Sequence, residues 1–474
     1  MSNAELQSKQ SMLSYNARWL KNLYDRAPAP AQNLLTSAYG FTHQRKVRGR
    51  YYFSYLARLQ QSQWHSFDQL QTSQNESLRR FIAYAYAHSP YWRRIFDEHA
   101  IAPDSIEGKE DLRRLPMMEK ETLRASIDEI VADEFQTKNF VSAHTSGTTG
   151  KALHLKLSTE AWQREYAFRD LHRSWGGIMR GDETATFAGH PVMPTKRTTA
   201  PFWRRNWPER QTLFSSQHIA PDTLPFYAAE LIRLQPQLIH GYPSALYLIA
   251  LYLSEQAIKT LRPKAVYTHS ETLLDYQRAA IERAFDCKVF NWYGNAELAG
   301  NIVECEAGSL HVKMEHSVVE VLRDDNTPAD PGETGELVCT SFGNRATPLI
   351  RYRTGDAAVL SDKTCSCGCA GSIVEMIVGR VDDIITTPDG RRVGRLDHVF
   401  KDTLHVAEAQ IVQEQIHSLR VRLVKRPGFD ESELKLIEKE LRLRLGDAIK
   451  LEYEFLDRIP REPNNKFRAV VSKL

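Results

Sequence analysis

The sequence predicts an α/β fold: a helical N-terminal region, then parallel sheet, then a small antiparallel β unit, then a short C-terminal domain. Three observations carry this. Residues 264–269 and 288–292 read as strands on either side of a helical Asp275–Phe285, the spacing of a parallel βαβ unit. Residues 318–322 and 336–341 alternate around the turn-forming Asp324-Asp325-Asn326, as antiparallel strands do. Beyond Gly379-Arg380, Glu431–Leu445 sets Leu434, Ile437, Leu441 and Leu445 on one helical face and stops at Gly446.

Taken in order, residues 1–135 are rich in aromatics and charge and read as helices punctuated by Asp104, Gly108 and Pro116. Within them, His43 to Arg50 is basic and Tyr51, Tyr52 and Phe53 follow; this reads as a solvated helix face with a buried aromatic side. Residues 136–379 form the α/β and antiparallel core. Residues 380–474 form the small α+β C-terminal domain, with a hinge near 380–383. The two predicted strands end in Ser270-Glu271 and in Tyr293-Gly294-Asn295-Ala296-Glu297. Ligands of open α/β sheets sit outside the carboxyl ends of strands, so these loops are candidate site segments.

Composition narrows the function. The chain has 474 residues, 42% hydrophobic and 26% charged, as expected of a globular enzyme. Its 62 Lys and Arg against 59 Asp and Glu leave +3, too balanced for an electrostatic nucleic-acid binder. The most apolar run, residues 245–253, is far short of the ~20 residues of a membrane span. The first ten residues lack the basic start and apolar stretch of a signal peptide. Six cysteines are too few for a disulfide scaffold, and a cytoplasmic protein is the expectation.

Thr145-Ser146-Gly147-Thr148-Thr149-Gly150-Lys151 suits phosphate: glycines let amides converge, hydroxyls donate, and lysine adds charge. It is not a Walker loop, since two residues and not four separate Gly147 from Gly150. The loop resembles the phosphate loop of the adenylate-forming superfamily of acyl-CoA synthetases and related ligases. Further segments resemble that family's motifs in order: Tyr293 to Glu297, Tyr352-Arg353-Thr354-Gly355-Asp356, Gly379-Arg380-Val381-Asp382-Asp383, and Asn465-Lys466-Phe467-Arg468. The phenylacetate–CoA ligase-like branch is the most similar, particularly its capsular-polysaccharide-biosynthesis-type members. Ala85-Tyr86-Ala87-His88-Ser89-Pro90-Tyr91, Gly241-Tyr242-Pro243-Ser244 and the short C-terminal domain point to that branch.

The resemblance implies an ATP-dependent ligase. A carboxylate attacks the α-phosphate of ATP, giving an acyl-adenylate and pyrophosphate. The acyl group then passes to an acceptor, the thiol of CoA or, alternatively, an amine in polysaccharide biosynthesis. It implies that residues 145–151 hold the β- and γ-phosphates. Glu297 would hold Mg²⁺, which takes one or two protein carboxylates plus phosphate oxygens. Tyr293 would stack on adenine with Gly294 and Asn295 beside it, and Ser270, Glu271 and Thr272 would line the base. Asp356 would grip the ribose with help from Arg380. Lys466 would reach the α-phosphate from a mobile small domain hinged at Asp382. Ala296 departs from the pattern, which often has a hydroxyl there. His190, His240, Gly241, Tyr242, Pro243 and Ser244 are the candidate acid-pocket wall; the two histidines serve equally as core residues.

Five of the six cysteines lie between Cys305 and Cys369. Cys305 and His311 flank a turn at Gly308, and Cys365-Ser-Cys367-Gly-Cys369 forms another, so two knuckles could close a tetrahedral site. Unliganded thiols are the alternative. The resemblance implies structural Zn²⁺ on Cys305, His311, Cys365 and Cys367, with Cys369 as alternative ligand. A competing class is a non-catalytic nucleotide-binding module, which would not need Lys466, Asp356 and Glu297 together.

Overall fold

The structure is a computed structural model that describes residues 22–137, 140–144, 153–189, 192–194, 196–380, 384–393, 396–400, 403, 405–462 and 466–474. Of the residues singled out above, Thr145–Lys151, His190, Val381, Asp382, Asp383 and Asn465 lie outside the described residues.

The N-terminal helices are α1 (Ala29–Val47), α2 (Arg50–Ser62), α3 (Phe67–His88), α4 (Pro90–Glu98), α5 (Lys120–Ala125) and α6 (Ile127–Ile130). A hairpin of β1 (Phe140–His144) and β2 (His154–Ser158) leads into α7 (Thr159–Trp175). Ser158 caps α7, its hydroxyl accepting from the Ala161 amide.

One twelve-stranded sheet follows. Its strands are β3 (Thr184–Ala188), β4 (Trp203–Asn206), β5 (Gln211–Ser215), β6 (Leu238–Gly241), β7 (Ala265–His269), β8 (Val289–Gly294), β9 (Asn301–Glu304), β10 (Leu310–Val312), β11 (Ser317–Leu322), β12 (Thr334–Ser341), β13 (Tyr352–Ser361) and β14 (Ile373–Arg380). The order is β11-β12-β13-β14-β10-β9-β8-β7-β6-β3-β5-β4. Strands β5, β3, β6, β7 and β8 are parallel; β4 closes one edge antiparallel. The crossovers β6–α9–β7 and β7–α10–β8 use α9 (Pro243–Glu255) and α10 (Asp275–Phe285), after α8 (Leu224–Leu234). The expected antiparallel strands are present and belong to the same sheet. The turn from β8 into β9 pairs antiparallel and continues the same sheet.

Three clusters fix the large part of the molecule. Tyr227, Leu231, Leu246, Ile249, Leu253, Ile281 and Phe285 of α8, α9 and α10 pack on Phe187, Phe214, Ile239, Val266 and Val289 of one sheet face. On the other face, Tyr52, Tyr55 and Leu59 of α2 meet Ala167, Phe168 and Leu171 of α7. Helices α3 and α4 cover the antiparallel half, burying Phe81, Ile82, Trp92 and Phe96 against Ile302, Val318, Leu337 and Tyr352. The basic stretch before Tyr51 is not simply a solvated face: Arg48 turns inward, its guanidinium against Glu209 at 2.9 Å and Asp170 at 3.5 Å.

The chain ends in a second sheet. After the short β15 (Ile385–Thr386) and β16 (Arg392–Val393), β17 (Val406–Gln415), β18 (Ser418–Lys425), β19 (Lys450–Phe455) and β20 (Val470–Ser472) pair in the order β19-β18-β17-β20. Helix α11 (Glu431–Leu445) lays Ile437, Leu441 and Leu445 on Ile411, Leu419, Val421 and Leu423. Its face and its Gly446 stop match the sequence reading. No helix among the described residues is long and apolar enough to cross a membrane.

Candidate active site

A cleft of about 1260 Å³ opens where β7 and β8 deliver their loops, and residues of the C-terminal sheet close over it. Both loops expected at strand ends line it: Ser270, Glu271 and Thr272 after β7, and Asn295 to Glu297 after β8, together with Tyr293 and Gly294 at the end of that strand. Asp356 and Arg380 face them from β13 and β14, where they are register partners.

Asp356 is the hub of one wall. The Tyr293 hydroxyl donates to Asp356 Oδ2 at 2.8 Å, and Arg380 Nε lies 3.7 Å from Oδ1. Burial pushes the Asp356 carboxyl above the usual carboxylate range, against the pull of Arg380 and Tyr293. Gly355 has φ +72°, and a Cβ there would come within 3.1 Å of the Arg380 guanidinium; a side chain would crowd that partner out.

Glu297 is buried, and its Oε1 accepts from the Tyr352 hydroxyl at 3.0 Å. Lys120 approaches the same oxygen at 3.5 Å. Asn295 holds its loop, its side-chain oxygen accepting from the Ala299 amide at 2.8 Å. Ala296 lines the cleft without a hydroxyl.

Glu271 joins two parts of the chain. It accepts from the Ser244 amide at 3.0 Å, the Ser244 hydroxyl at 3.1 Å and the Phe467 amide at 2.6 Å. Lys466 therefore enters the cleft beside Glu271, with Glu462, Asp356 and Arg380 also facing it. Burial lowers the Lys466 pKa from its ordinary value, and the three carboxylates oppose that shift.

Of the candidate acid-wall residues, His240 lines the cleft; Gly241, Tyr242, Pro243 and Ser244 do not. Tyr242 is buried and its ring stacks edge-on against His269. Gly241 is a packing glycine, because a Cβ there would overlap the Phe187 carbonyl oxygen. Pro243 and Ser244 begin α9. These four correct the expected wall: they build and anchor a helix start behind it.

The cysteine segments converge at one edge of the cleft. Cys305 Sγ lies 3.5 Å from Cys365 Sγ, and His311 Nε2 lies 3.4 Å from Cys367 Sγ. One ligand atom from each of the four falls within 4.8 Å of every other. Zinc bonds of about 2.0–2.3 Å set tetrahedral edges of about 3.3–3.8 Å, so the set fits such an ion. Cys369 is outside the cluster; its amide donates to Cys367 Sγ at 3.3 Å. Cys305 and His311 are brought together by the β9–β10 hairpin, whose turn places Gly308 at φ +87°.

Comparisons with known proteins fit this geometry. Residues 385–473 match a family model described as the CapK C-terminal domain. Protein CapK of Staphylococcus aureus is 27% identical over 464 residues, 96% of this chain and 100% of that one. Phenylacetate-coenzyme A ligase of Thermus thermophilus is 28% identical over 398 residues, 78% of this chain and 81% of the relative. Over most of its length the chain is thus similar to CapK and to a phenylacetate-coenzyme A ligase, and its last part matches the CapK C-terminal domain. A crystal structure of 2-hydroxyisobutyryl-CoA ligase in the postadenylation state shares the fold, with TM-score 0.68 and 19% identity over 86% of this chain and 91% of that one.

The cleft is also lined by residues that the sequence reading missed. Lys120 comes from a short helix far from any motif. Arg169 and Arg173 stand one turn apart on α7, on the side of that helix facing the sheet. Two arginines at i and i+4 beside Phe168 and Leu171 were the available signal, since a helix face packed on a sheet is ordinarily apolar.

Proposed function

We propose that this ligase joins a carboxylic acid to ATP with Mg²⁺, releases pyrophosphate, and passes the acyl group of the adenylate to the thiol of CoA. The observation that carries the reading is the placement of Lys466, delivered from the C-terminal domain into a cleft that already holds Asp356, Arg380, Tyr293 and Glu297. In this reaction a carboxylate oxygen attacks the α-phosphorus and the bond to the bridging oxygen breaks, so negative charge builds on phosphoryl oxygens as an anion approaches. A buried cation aimed at that charge lowers the barrier without reorganising solvent. Asp356 offers two acceptor oxygens to ribose hydroxyls, and Tyr293 and Arg380 orient it.

Glu297 fits the Mg²⁺ role: Tyr352 fixes one carboxylate oxygen and the other is left for the ion. Bound there, Mg²⁺ would neutralise phosphate charge. Residues 145–151 are the proposed cradle for the β- and γ-phosphates. Cys305, His311, Cys365 and Cys367 are the proposed ligands of a structural Zn²⁺, a closed set with no open position for catalysis. An amine acceptor in polysaccharide biosynthesis is the second reading, supported by the end-to-end match to the CapK protein.

The test is product identity. With ATP, Mg²⁺ and a panel of acids, the protein should release AMP and pyrophosphate; stoichiometric ADP would refute adenylation. Adding CoA, or amino-sugars in its place, then separates the two acceptors.

A further inference from the structure

A parallel sheet covered by helices ordinarily presents Val, Ile and Leu to them. The face of β5, β3 and β6 that looks toward α7 instead presents Gln211, Thr186 and His240, and all three line the cleft. Gln211 Nε2 donates to Thr186 Oγ1 at 2.8 Å, and Thr186 Oγ1 lies 2.8 Å from His240 Nε2. Opposite this strip, α7 contributes Arg169 and Arg173. Burying such groups is unfavourable unless a partner satisfies them.

The protein neutralises the two arginines unequally: Tyr166 and Asp170 raise Arg169 against its burial, whereas burial and Arg169 lower Arg173. Asp170 accepts from the Tyr52 hydroxyl at 2.8 Å and lies 3.5 Å from Arg48 Nε. Arg169 Nε stands 3.6 Å from Asp170, too far for a hydrogen bond, and is buried without a hydrogen-bond partner. Its guanidinium lies over the Tyr166 ring, 3.9 Å from the centroid. Arg173 has no ion pair within 4.0 Å among the described residues. Glu165, the other nearby carboxylate, is bonded to Asn301 at 2.9 Å and faces His316 at 3.4 Å. Burial and the neighbouring Arg169 lower Arg173 to about 10, and burial with Arg173 and Arg169 holds His240 well below its ordinary value. Burial is the largest cause of both shifts, and the neighbouring guanidinium charge adds to it.

We propose that the acid activated here is a dicarboxylic acid, whose second carboxylate is received by Arg169 and Arg173 while Gln211, Thr186 and His240 bind polar groups along its length. This rests on the ligase reading above, with the reacting carboxylate turned toward Lys466. Lys466, Glu271, Ser270, His269 and His240 line the same cleft as the two arginines. A guanidinium pair on a carboxylate gives charge-assisted, geometrically specific hydrogen bonds.

The experiment compares succinate, glutarate and adipate with butanoate, pentanoate, hexanoate and phenylacetate in pyrophosphate release, using wild type, Arg173→Met and Arg169→Met. Calorimetric binding of the same acids without ATP is measured alongside, and thermal melts check that each variant folds. At least one dicarboxylate should exceed its matched monocarboxylate by at least about tenfold in kcat/KM and in affinity, the size of one charge-assisted hydrogen bond. Each Arg→Met variant should reduce that ratio by at least about tenfold, and Arg173→Lys should restore part of it. A preference for monocarboxylates, a ratio unchanged in both variants, or equal binding of the two acid classes would overturn the proposal. Release of ADP would defeat the ligase reading instead, and the binding arm would still report on the arginines.

Discussion

Lys466 approaches a cleft whose carboxylates, Glu271, Glu462 and Asp356, keep it charged while burial works against the charge. Removing a donor aimed at developing oxyanion charge typically costs about 10²–10³ in rate. Lys466→Ala should slow adenylate formation by at least that factor, yet leave acyl transfer from preformed acyl-adenylate near the wild-type rate; single-turnover measurement of each half-reaction checks this. The lysine's pKa is lowered, so its charge, and adenylation with it, should fade at lower pH than for an ordinary lysine. Lys466→Arg, slower but permanently charged, should flatten that alkaline limb. His172 makes a different pH prediction. It is fully buried among Trp175, Tyr267, Phe290 and Trp292, its Nε2 lies 2.8 Å from the Glu304 carbonyl oxygen, and burial pushes its pKa down to about 3. The unfolded chain protonates an ordinary histidine near 6.5, so between the two values unfolding takes up a proton and stability falls as pH falls. Between pH 7 and 5 this one residue should cost about 2 kcal/mol. Urea unfolding of His172→Phe at the two pH values should show a drop smaller by about that amount, whatever the variant loses at pH 7 from the missing hydrogen bond.

At the scale of elements, the β9–β10 hairpin and the segment between β13 and β14 are joined by Cys305, His311, Cys365 and Cys367. Protein purified without chelator should hold close to one zinc per chain by metal analysis. Cys305→Ser or Cys365→Ser should lose it and melt earlier. A loss of about 2 kcal/mol lowers the midpoint of a chain of this length by about 2 °C. A metal-free, equally stable wild type would remove the site. Elements whose own period defines them are legible in the amino-acid pattern alone: the Asp275–Phe285 and Glu431–Leu445 helices coincide with α10 and α11. So is the pairing of 318–322 with 336–341, which reappears in β11 and β12. What is not legible depends on strands meeting across long separations. The β8–β9 junction that fuses the parallel and antiparallel halves leaves no mark in local alternation, and neither does the burial of Arg48 between Glu209 and Asp170. The site divides the same way. The motif residues Tyr293, Asp356, Arg380 and Lys466 line one cleft, and Lys120 and the α7 arginines, which belong to no motif, line it too.

Across the whole molecule, Glu271 is the carboxylate that binds the start of α9 and the Phe467 amide together. Glu271→Ala leaves both amides without that acceptor, so the C-terminal domain should dock less firmly. Limited proteolysis should release it at least about fivefold faster, since a hydrogen bond to a charged group contributes about 1.5–3 kcal/mol. Arg426→Ala breaks the exposed Arg426–Glu255 pair across the same two parts and should change the rate little. Equal cleavage of all three proteins would remove the docking role from Glu271. The last strand of the large sheet carries a consequence of another kind. β14 begins between β13 and β10, with Ile373 and Val374 hydrogen-bonded in register to both neighbours, and stays paired to β13 as far as Arg380. The register slips twice along the way, between Ala357 and Ala358 and between Val359 and Leu360, and tension along the strand is borne as shear by the paired stretches on either side. Arg380, the last residue of this strand, also faces Asp356, so if the C-terminal domain swings, its pull and the alignment of the cleft would share one mechanical anchor.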